Sequence, residues 1–388
     1  MTGGKNVIYL DNSATTYPKP MRVTKAVEYA LKKYGANPGR SGHTMSRESG
    51  LEIDKCRKLT ANFFGAHDVK DVAFTLNCTQ ALNIVIKGFL KPGDHVVTSC
   101  MEHNAVMRPL RKLEKMNIIT FTTVNVYPEE PEKTVDAFRK AINSDTALII
   151  CTHASNVWGV RMPIERIAAL AKVYEIPILV DSAQSAGVLP INVSELGIDY
   201  LCAAGHKGLY GPMGTGILVT HSGDKLDTII EGGTGTNSMT FCQPKEMPQK
   251  FESGTPNMAG ISGLGAGIEF VKSKGVSNIF KHEMDLLTYL YDRLKDIRSV
   301  ELYMPRPKCE NFVPVLSFNI RGYISDEVGK ILDSQGIEVR TGLHCAPAAH
   351  EYLGTLERGA VRVSPSVFNT KYEINKFIDS VRSIKARV

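Results

Sequence analysis

The sequence predicts an α/β protein: a mainly parallel seven-stranded sheet in a large domain, with a smaller α+β domain after it. Three observations lead there. Seven short apolar runs alternate with helical patterns between about residues 70 and 220, as expected of strands covered by helices on both faces. The stretch 221–262 then turns rich in Gly, Thr, Ser and Pro and loses periodicity. Beyond it, helix and strand patterns resume over a length that suits a second unit.

Taken in order, the strand candidates are DVAFTL, DHVVTS, IITFTTVNV, TALIICTH, IPILVDS, DYLCAA and GTGILVT. Helical patterns fall at 80–90, 105–116, 133–143 and 163–175, and KPGD at 91–94 supplies the breakers between one helix and the next strand. After the irregular stretch, one long helical pattern covers roughly 257–297. Strands are expected near 300–303 and 312–319, a helix near 325–335, a strand at 337–340 and a last helix from 371. The expected division is an N-terminal segment, 1–20, packing on the small domain; a large domain, 21–258; and a small domain, 259–388. GLGAG at 263–267 lacks the preceding strand of a dinucleotide fingerprint and reads as small residues that let helices approach closely. EGGTGTNS at 231–238 lacks the Gly-Lys-Ser/Thr ending of a P-loop.

With 388 residues, 43% hydrophobic and 22% charged, the chain can bury a core without disulfide or metal staples. Lys and Arg number 46 against 40 Asp and Glu, a net charge of +6 with the signs interspersed. That pattern, without an aromatic stacking platform, argues against nucleic acid as a partner. No apolar run approaches the ~20 residues of a bilayer span, so no membrane association is expected. The stretch before Asp11 is too short for a secretory signal. Eight scattered cysteines without CxxC pairs read as the free thiols of a cytoplasmic protein.

Polar residues recur just after successive strand candidates. Asp181 ends PILVD, Asn156 follows LIICTHAS, His103 follows HVVTSCME, and His206 and Lys207 follow YLCAAG. Thr79 and Gln80 follow AFTLNC where a helix opens. In an open α/β sheet, ligands bind beyond the carboxyl ends of the strands, so these groups converge. Singly, each has an ordinary reading: Asp181 a helix cap, Thr79 an N-cap, Lys207 a solvated lysine, His103 a surface imidazole. Their shared end of the sheet is what favours a site.

Pyridoxal phosphate needs such a set: an amine for its aldehyde, an acid for its ring nitrogen, donors for its phenolic oxygen and a helix N-terminus for its phosphate. Lys207 would supply the amine and Asp181 the acid. Asn156 and Gln184 would serve the phenolic oxygen, and His103 would lie over the ring. Thr79, with the amides of 79 and 80, would hold the phosphate.

The motifs LVDSAQ, AAGHKGLYGPMGTG, NCTQALN, EHNA and FESGTPN resemble the class V aminotransferase-like enzymes, which are pyridoxal phosphate enzymes of fold type I. RTGLHCAP at 340–347 narrows the resemblance to cysteine desulfurases of the SufS-like, type II group. It runs from YLDNSATT near residue 9 to VRVSPSVFNT near 370. It implies a homodimer that converts L-cysteine to L-alanine, holding the sulfur as an enzyme persulfide for an acceptor protein in uses such as iron–sulfur cluster assembly. L-selenocysteine is the related substrate. Alternatives on the same scaffold are a selenocysteine lyase, another pyridoxal phosphate aminotransferase or lyase, and a catalytically silent sulfur-transfer scaffold.

By that resemblance, Lys207 is the lysine that holds the cofactor and Cys345 the residue that takes up sulfur. Arg362, with Asn156, would bind the substrate carboxylate; a structural ion pair is the plainer reading of Arg362. Thr255 would reach a phosphate across the dimer interface. Two positions depart from the pattern. Ala204 stands where a hydroxyl residue is usual, which leaves more of the phosphate to His206 and Thr255, and Gly39 stands where a histidine is frequent. A free cysteine has a pKa of about 8.5, so Cys345 needs help to form its thiolate. His344, Arg340 and the cationic lysine-linked cofactor are the expected sources, and Gly342, His344 and Pro347 mark a loop around it.

Overall fold

The computed structural model describes residues 7–38, 42–236 and 238–387; Gly39 lies outside them. The chain opens with a short strand, β1 (Ile8–Tyr9), and two helices, α1 (Met21–Lys33) and α2 (Thr44–Phe64). His43 caps α2 by accepting from Ser46 N, and Gly65 at φ 63° closes it in the left-handed conformation that glycine adopts without strain.

Then strands and helices alternate: β2 (Val72–Thr75), α3 (Cys78–Phe89), β3 (His95–Ser99), α4 (Asn104–Lys115), β4 (Thr120–Val124) and α5 (Pro131–Ala141). They continue with β5 (Thr146–Thr152), α6 (Ile164–Val173), β6 (Ile178–Asp181), α7 (Val193–Leu196), β7 (Tyr200–Ala204) and β8 (Gly216–Val219). These strands form one seven-stranded sheet in the order β2-β8-β7-β6-β5-β3-β4. β8 runs antiparallel to both neighbours, and the other pairings are parallel. β3, β6 and β7 are buried at every residue, which is why Ile178–Val180 and β7 read as apolar runs, while β3 buries His95, Thr98 and Ser99 among its valines. The edge strand β4 is largely exposed and Thr-rich.

The second half supplies α8 (Met258–Lys274), α9 (Val276–Leu294), β9 (Val300–Leu302), β10 (Leu316–Ile320) and α10 (Ser325–Ser334). It ends with β11 (Ile337–Glu338), α11 (Pro347–Tyr352), β12 (Val361–Val363) and α12 (Lys371–Ser383). β12-β10-β9 is an antiparallel sheet, while β11 pairs in parallel with β1. The first residues of the chain are thus stitched to its last third: Leu10 N donates to Glu338 O at 2.9 Å, and Ser364 N to Leu10 O at 2.8 Å.

The structure departs from the sequence reading at identifiable residues. The long helix expected at 257–297 is two, because Gly275 takes φ 82° and ends α8. The strand expected from 312 begins at Leu316; Phe312 instead bridges to Val160, and Pro314 lacks an N–H for a ladder. The strand at 337–340 stops at Glu338, and Arg340 forms an isolated bridge with Arg362. The sequence reading gives no counterpart to α1, α2, α7, α11, β1 or β12. The small residues of GLGAG press α8 against its neighbours. A Cβ at Gly263 would lie 2.6 Å from Pro212 Cγ and 2.7 Å from Val27 Cγ2, and one at Gly267 would lie 2.3 Å from Leu209 O.

A nearly buried ion pair ties α2 to the sheet edge. Arg57 donates from Nη1 to Glu252 Oε1 at 2.6 Å and to Val72 O at 2.7 Å, and from Nη2 to Glu252 Oε2 at 2.9 Å. Glu252 Oε1 also accepts from Phe74 N at 2.7 Å. Arg57→Met would strand that carboxylate, and the expected loss is about 3 kcal/mol, read as a shift in urea unfolding. A loss below about 1 kcal/mol would class the pair with dispensable surface bridges.

Two buried histidines set an acid limit. His153, just after β5, has no partner for either ring nitrogen among the described residues, and burial pushes its pKa down to about 4. His350 pairs through Nδ1 with Thr355 Oγ1 at 2.8 Å, and burial likewise pushes it to about 4. An unfolded histidine titrates near ~6.5, so between that pH and about 4 the unfolded chain binds protons that the folded chain refuses. Stability is therefore full above about pH 6.5 and declines as the pH falls toward 4. His153→Leu should remove about 1.4 kcal/mol per pH unit from the slope of unfolding free energy between pH 6.5 and 4.5. An unchanged slope would mean that His153 carries a proton in the folded chain.

Candidate active site

A cavity of about 180 Å³ lies beyond the carboxyl ends of β3, β5, β6 and β7. Thr79, His103, Asn156, Asp181, Gln184, His206 and Lys207 all line it. The sheet order explains the convergence. β6 sits between β5 and β7, with Asp181 beside Thr152 on one side and Cys202 on the other.

Asp181, the last residue of β6, is buried; its Oδ1 accepts from Ala183 N at 2.9 Å and from Cys78 Sγ at 3.5 Å. Lys207 follows β7 on a tight turn, in which Gly211 N donates to Gly205 O at 2.7 Å and Tyr210 N to Lys207 O at 2.8 Å. That turn packs so closely on the loop after β6 that a Cβ at Gly187, which has φ 82°, would lie 2.1 Å from Gly208 O. Burial pushes the Lys207 amine toward its neutral form, and the charge of Asp181 opposes that shift. Burial also lowers the pKa of His206 to about 4, aided by Lys207 and Lys19, and its Nδ1 has no partner among the described residues.

His103 is the N-cap of α4; its Nδ1 accepts from Ala105 N at 3.0 Å, which turns the ring toward the cavity wall. Burial lowers its pKa, so the ring is neutral near pH 7. Asn156 donates from Nδ2 to His344 O at 2.7 Å, while its buried Oδ1 has no partner among the described residues. Gln184 donates from Nε2 to Ser13 O at 3.0 Å, so the N-terminal segment already uses part of its amide. Ala204 also lines the cavity and brings no hydroxyl to it.

Gln80 does not fit its expected place. Its amide donates to Asn77 Oδ1 at 2.9 Å, because Asn77 caps α3, and its Oε1 accepts from Leu76 N at 2.6 Å. Gln80 instead lines a second cavity of about 80 Å³, together with Thr255. Within one chain, then, Thr255 does not face the cavity of Lys207.

Arg362, on β12, stands behind Asn156 and is buried. Its Nη1 donates to Asn156 O at 2.9 Å and its Nη2 to Asp11 Oδ1 at 2.6 Å, and its Nε has no partner among the described residues. The structural ion pair weighed from sequence therefore exists, with Asp11.

Cys345 is exposed, on a loop in which His344 and Cys345 both have positive φ, 51° and 56°. Cys345 O accepts from Asn104 N at 2.7 Å, which sets the loop beside His103. His344 cannot supply the charge expected of it. Its ring is buried, stacks on His350 with centroids 5.5 Å apart, and is driven to a pKa of about 2, chiefly by burial and then by Arg362. It stays neutral and leaves Arg340 as the expected cation near the loop.

Sequence reasoning missed Asp11, Cys78 and Glu102. Glu102 precedes His103 and is fully buried; its Oε1 accepts from Ser99 Oγ at 2.6 Å and from Thr152 N at 2.8 Å. Burial raises its pKa to about 8, so it bridges β3 and β5 as a neutral acid. Its place in EHNA was the available signal.

No helix among the described residues is long and apolar enough to cross a membrane. The sequence matches the aminotransferase class-V family over residues 8–377. It is 32% identical to a probable cysteine desulfurase of Halalkalibacterium halodurans, over 98% of this chain and 94% of the relative. The fold superposes on the apo structure of a cysteine desulfurase from Thermococcus onnurineus with a TM-score of 0.88 at 32% identity, covering 97% of this chain and 94% of that one. A cysteine desulfurase from Escherichia coli gives a TM-score of 0.86 at 26% identity, with the same coverage. From the ends of its central strands to its relatives, the chain belongs to the class-V aminotransferase family.

Proposed function

We propose that this protein is a pyridoxal phosphate-dependent cysteine desulfurase, which converts L-cysteine to L-alanine and retains the sulfur as a persulfide on Cys345. The observation that carries the reading is the buried Lys207 amine sharing one strand-end cavity with the Asp181 carboxylate. The names of the similar proteins support it.

The residues present fit the cofactor. Two buried polar atoms on this site, Asn156 Oδ1 and His206 Nδ1, lack partners among the described residues, a costly state unless a bound group satisfies them. Lys207 would hold the aldehyde, Asp181 the ring nitrogen, His103 one face of the ring, and Asn156 and Gln184 the phenolic oxygen. Thr79 and His206 would hold the phosphate, with Thr255 of a second copy as the contact that makes a homodimer part of the site. When bound, pyridoxal phosphate supplies an electron sink for the bonds at the substrate Cα.

The chain's own residues supply the rest. Burial favours the neutral Lys207 amine, the form able to accept the Cα proton. Arg362 arrives oriented by Asp11 and Asn156, with its Nε still free for the substrate carboxylate. The Cys345 thiolate attacks the substrate sulfur. The S–C bond of L-cysteine breaks with its electron pair on carbon, which takes a proton to give alanine, while the enzyme keeps an S–SH group. No external oxidant enters.

Lys207→Ala should lower alanine release from L-cysteine by about 10³-fold or more and abolish the near-ultraviolet absorbance of the covalently fixed cofactor that native reconstituted enzyme keeps after borohydride reduction and dialysis. Activity within about tenfold of the native enzyme would remove Lys207 from the chemistry. Cys345→Ala should retain that absorbance yet release no persulfide and almost no alanine from L-cysteine. If it still works on L-cysteine, the persulfide step is wrong, and undiminished activity on L-selenocysteine alone would favour the lyase reading.

A further inference from the structure

Beside the Cys345 loop, α4 and α11 enclose an open groove of about 600 Å³. The hydrogen bond from Asn104 N to Cys345 O joins the first turn of α4 to the loop that leads into α11, so the groove adjoins the loop that carries the exposed Cys345. Its lining includes apolar surface from Met107, Met116, Pro347 and Ala348. The α4 wall adds Arg108, Arg111, Lys112 and Lys115, opposed by the single carboxylate of Glu351.

These charges are largely uncommitted. Arg111 pairs with Glu114 at 2.8 Å, whereas Arg108, Lys112 and Lys115 enter no ion pair among the described residues. Lysines in the last turn of a helix complement its dipole, which accounts for Lys112 and Lys115 taken singly. It does not account for Arg108, one turn in from the start of α4, nor for the apolar strip beside it, on which Met116 is 57% exposed.

We propose that this groove docks the protein that takes sulfur from Cys345, and that its docking segment is acidic with an apolar face. The inference rests on the sulfur-transfer reading above. A cationic wall along an apolar strip matches a segment with carboxylates on one side and aliphatic groups on the other, and opposite charge steers the encounter. Asn156 joins the cavity that would take L-cysteine to His344 O, and Asn104 joins the groove to Cys345 O, so the loop has the cavity on one flank and the groove on another, and a protein thiol would reach Cys345 from the groove. That thiolate attacks the outer sulfur of the persulfide. The S–S bond breaks with its electron pair on Cys345, which leaves as thiolate, and the proton stays on the transferred sulfur.

The test uses full-length enzyme reconstituted with pyridoxal phosphate and two fluorescein-labelled peptides of equal length. Both carry one cysteine and the same leucines, one with glutamates and the other with lysines at the polar positions. Anisotropy at low salt should show the glutamate peptide bound about tenfold tighter or more, with the advantage shrinking as salt rises. Arg108→Glu combined with Lys112→Glu and Lys115→Glu should erase that preference and slow persulfide transfer to the glutamate peptide. Reversing Lys140, Lys172 and Lys272 in the same way should preserve both. Alanine release driven by dithiothreitol should be equal in all three proteins, and the single variant Arg108→Glu serves if the triple does not fold. Equal binding of the two peptides, or a preference that survives reversal of the groove, overturns the proposal. Failure of native enzyme to release alanine with dithiothreitol would instead defeat the sulfur-transfer reading, since anisotropy does not depend on turnover.

Discussion

Placing the Lys207 amine and the Asp181 carboxylate in one buried cavity is the constraint on which the rest of the structure depends. An ammonium moved away from water loses hydration that a single carboxylate only partly replaces, so the amine is driven toward neutrality while Asp181 pulls the other way. The balance holds only if the backbone on both sides is immobile. β6 and β7 meet that need through parallel pairing, with Asp181 beside Cys202. The close approach of Gly187 to Gly208 then confines the turn that carries Lys207. From the N-terminal segment, Thr16 Oγ1 donates to Lys207 O at 3.1 Å and Lys19 Nζ to His206 O at 2.7 Å. A segment nearly two hundred residues away in sequence thereby fixes the orientation of the turn.

Much of the fold and most of the cavity were legible in the sequence, for a physical reason. Strands buried on both faces must be apolar throughout, so each run ends at the first polar residue, and in this sheet those ends lie together. Asp181, Asn156, His103 and Lys207 were found that way. What could not be read depends on local hydrogen bonding or on distance. Gln80 stands where a phosphate ligand would, but Asn77 uses its amide as a helix cap. His344 has the composition of an activator, and only its stacking on His350 reveals a neutral, buried ring. Asp11 and Arg362 are 351 residues apart, and an ion pair across that span has no local signature.

That ion pair bears on how the substrate would be met. An arginine buried as deeply as Arg362 must be compensated before any ligand arrives, because an unpaired buried charge costs several kcal/mol. Asp11 provides the compensation, and Asn156 O takes a second donor. The guanidinium is planar and carries its donors in a fixed fork, so holding two of its nitrogens also fixes the direction of the third. The unpartnered Nε–H is therefore oriented in advance, and under the proposed role a substrate carboxylate would gain a hydrogen bond without first ordering the side chain.

The Cys345 loop shows the complementary arrangement: a fixed backbone carrying an exposed side chain. Two consecutive non-glycine residues in the left-handed region cost on the order of 1–2 kcal/mol each, and such strain persists only where the surroundings impose it. Here two hydrogen bonds impose it, from Asn156 Nδ2 to His344 O and from Asn104 N to Cys345 O. Both donors follow strands of the large sheet, so the loop is held by the same ends that build the cavity. Consecutive left-handed residues reverse the chain sharply enough to bury the His344 ring while leaving the next side chain in solvent. Under the proposed sulfur transfer, Cys345 would meet a small amino acid on one side and another protein's thiol on the other, a combination that an ordinary helix or strand position, with only one of the two faces open, would not give.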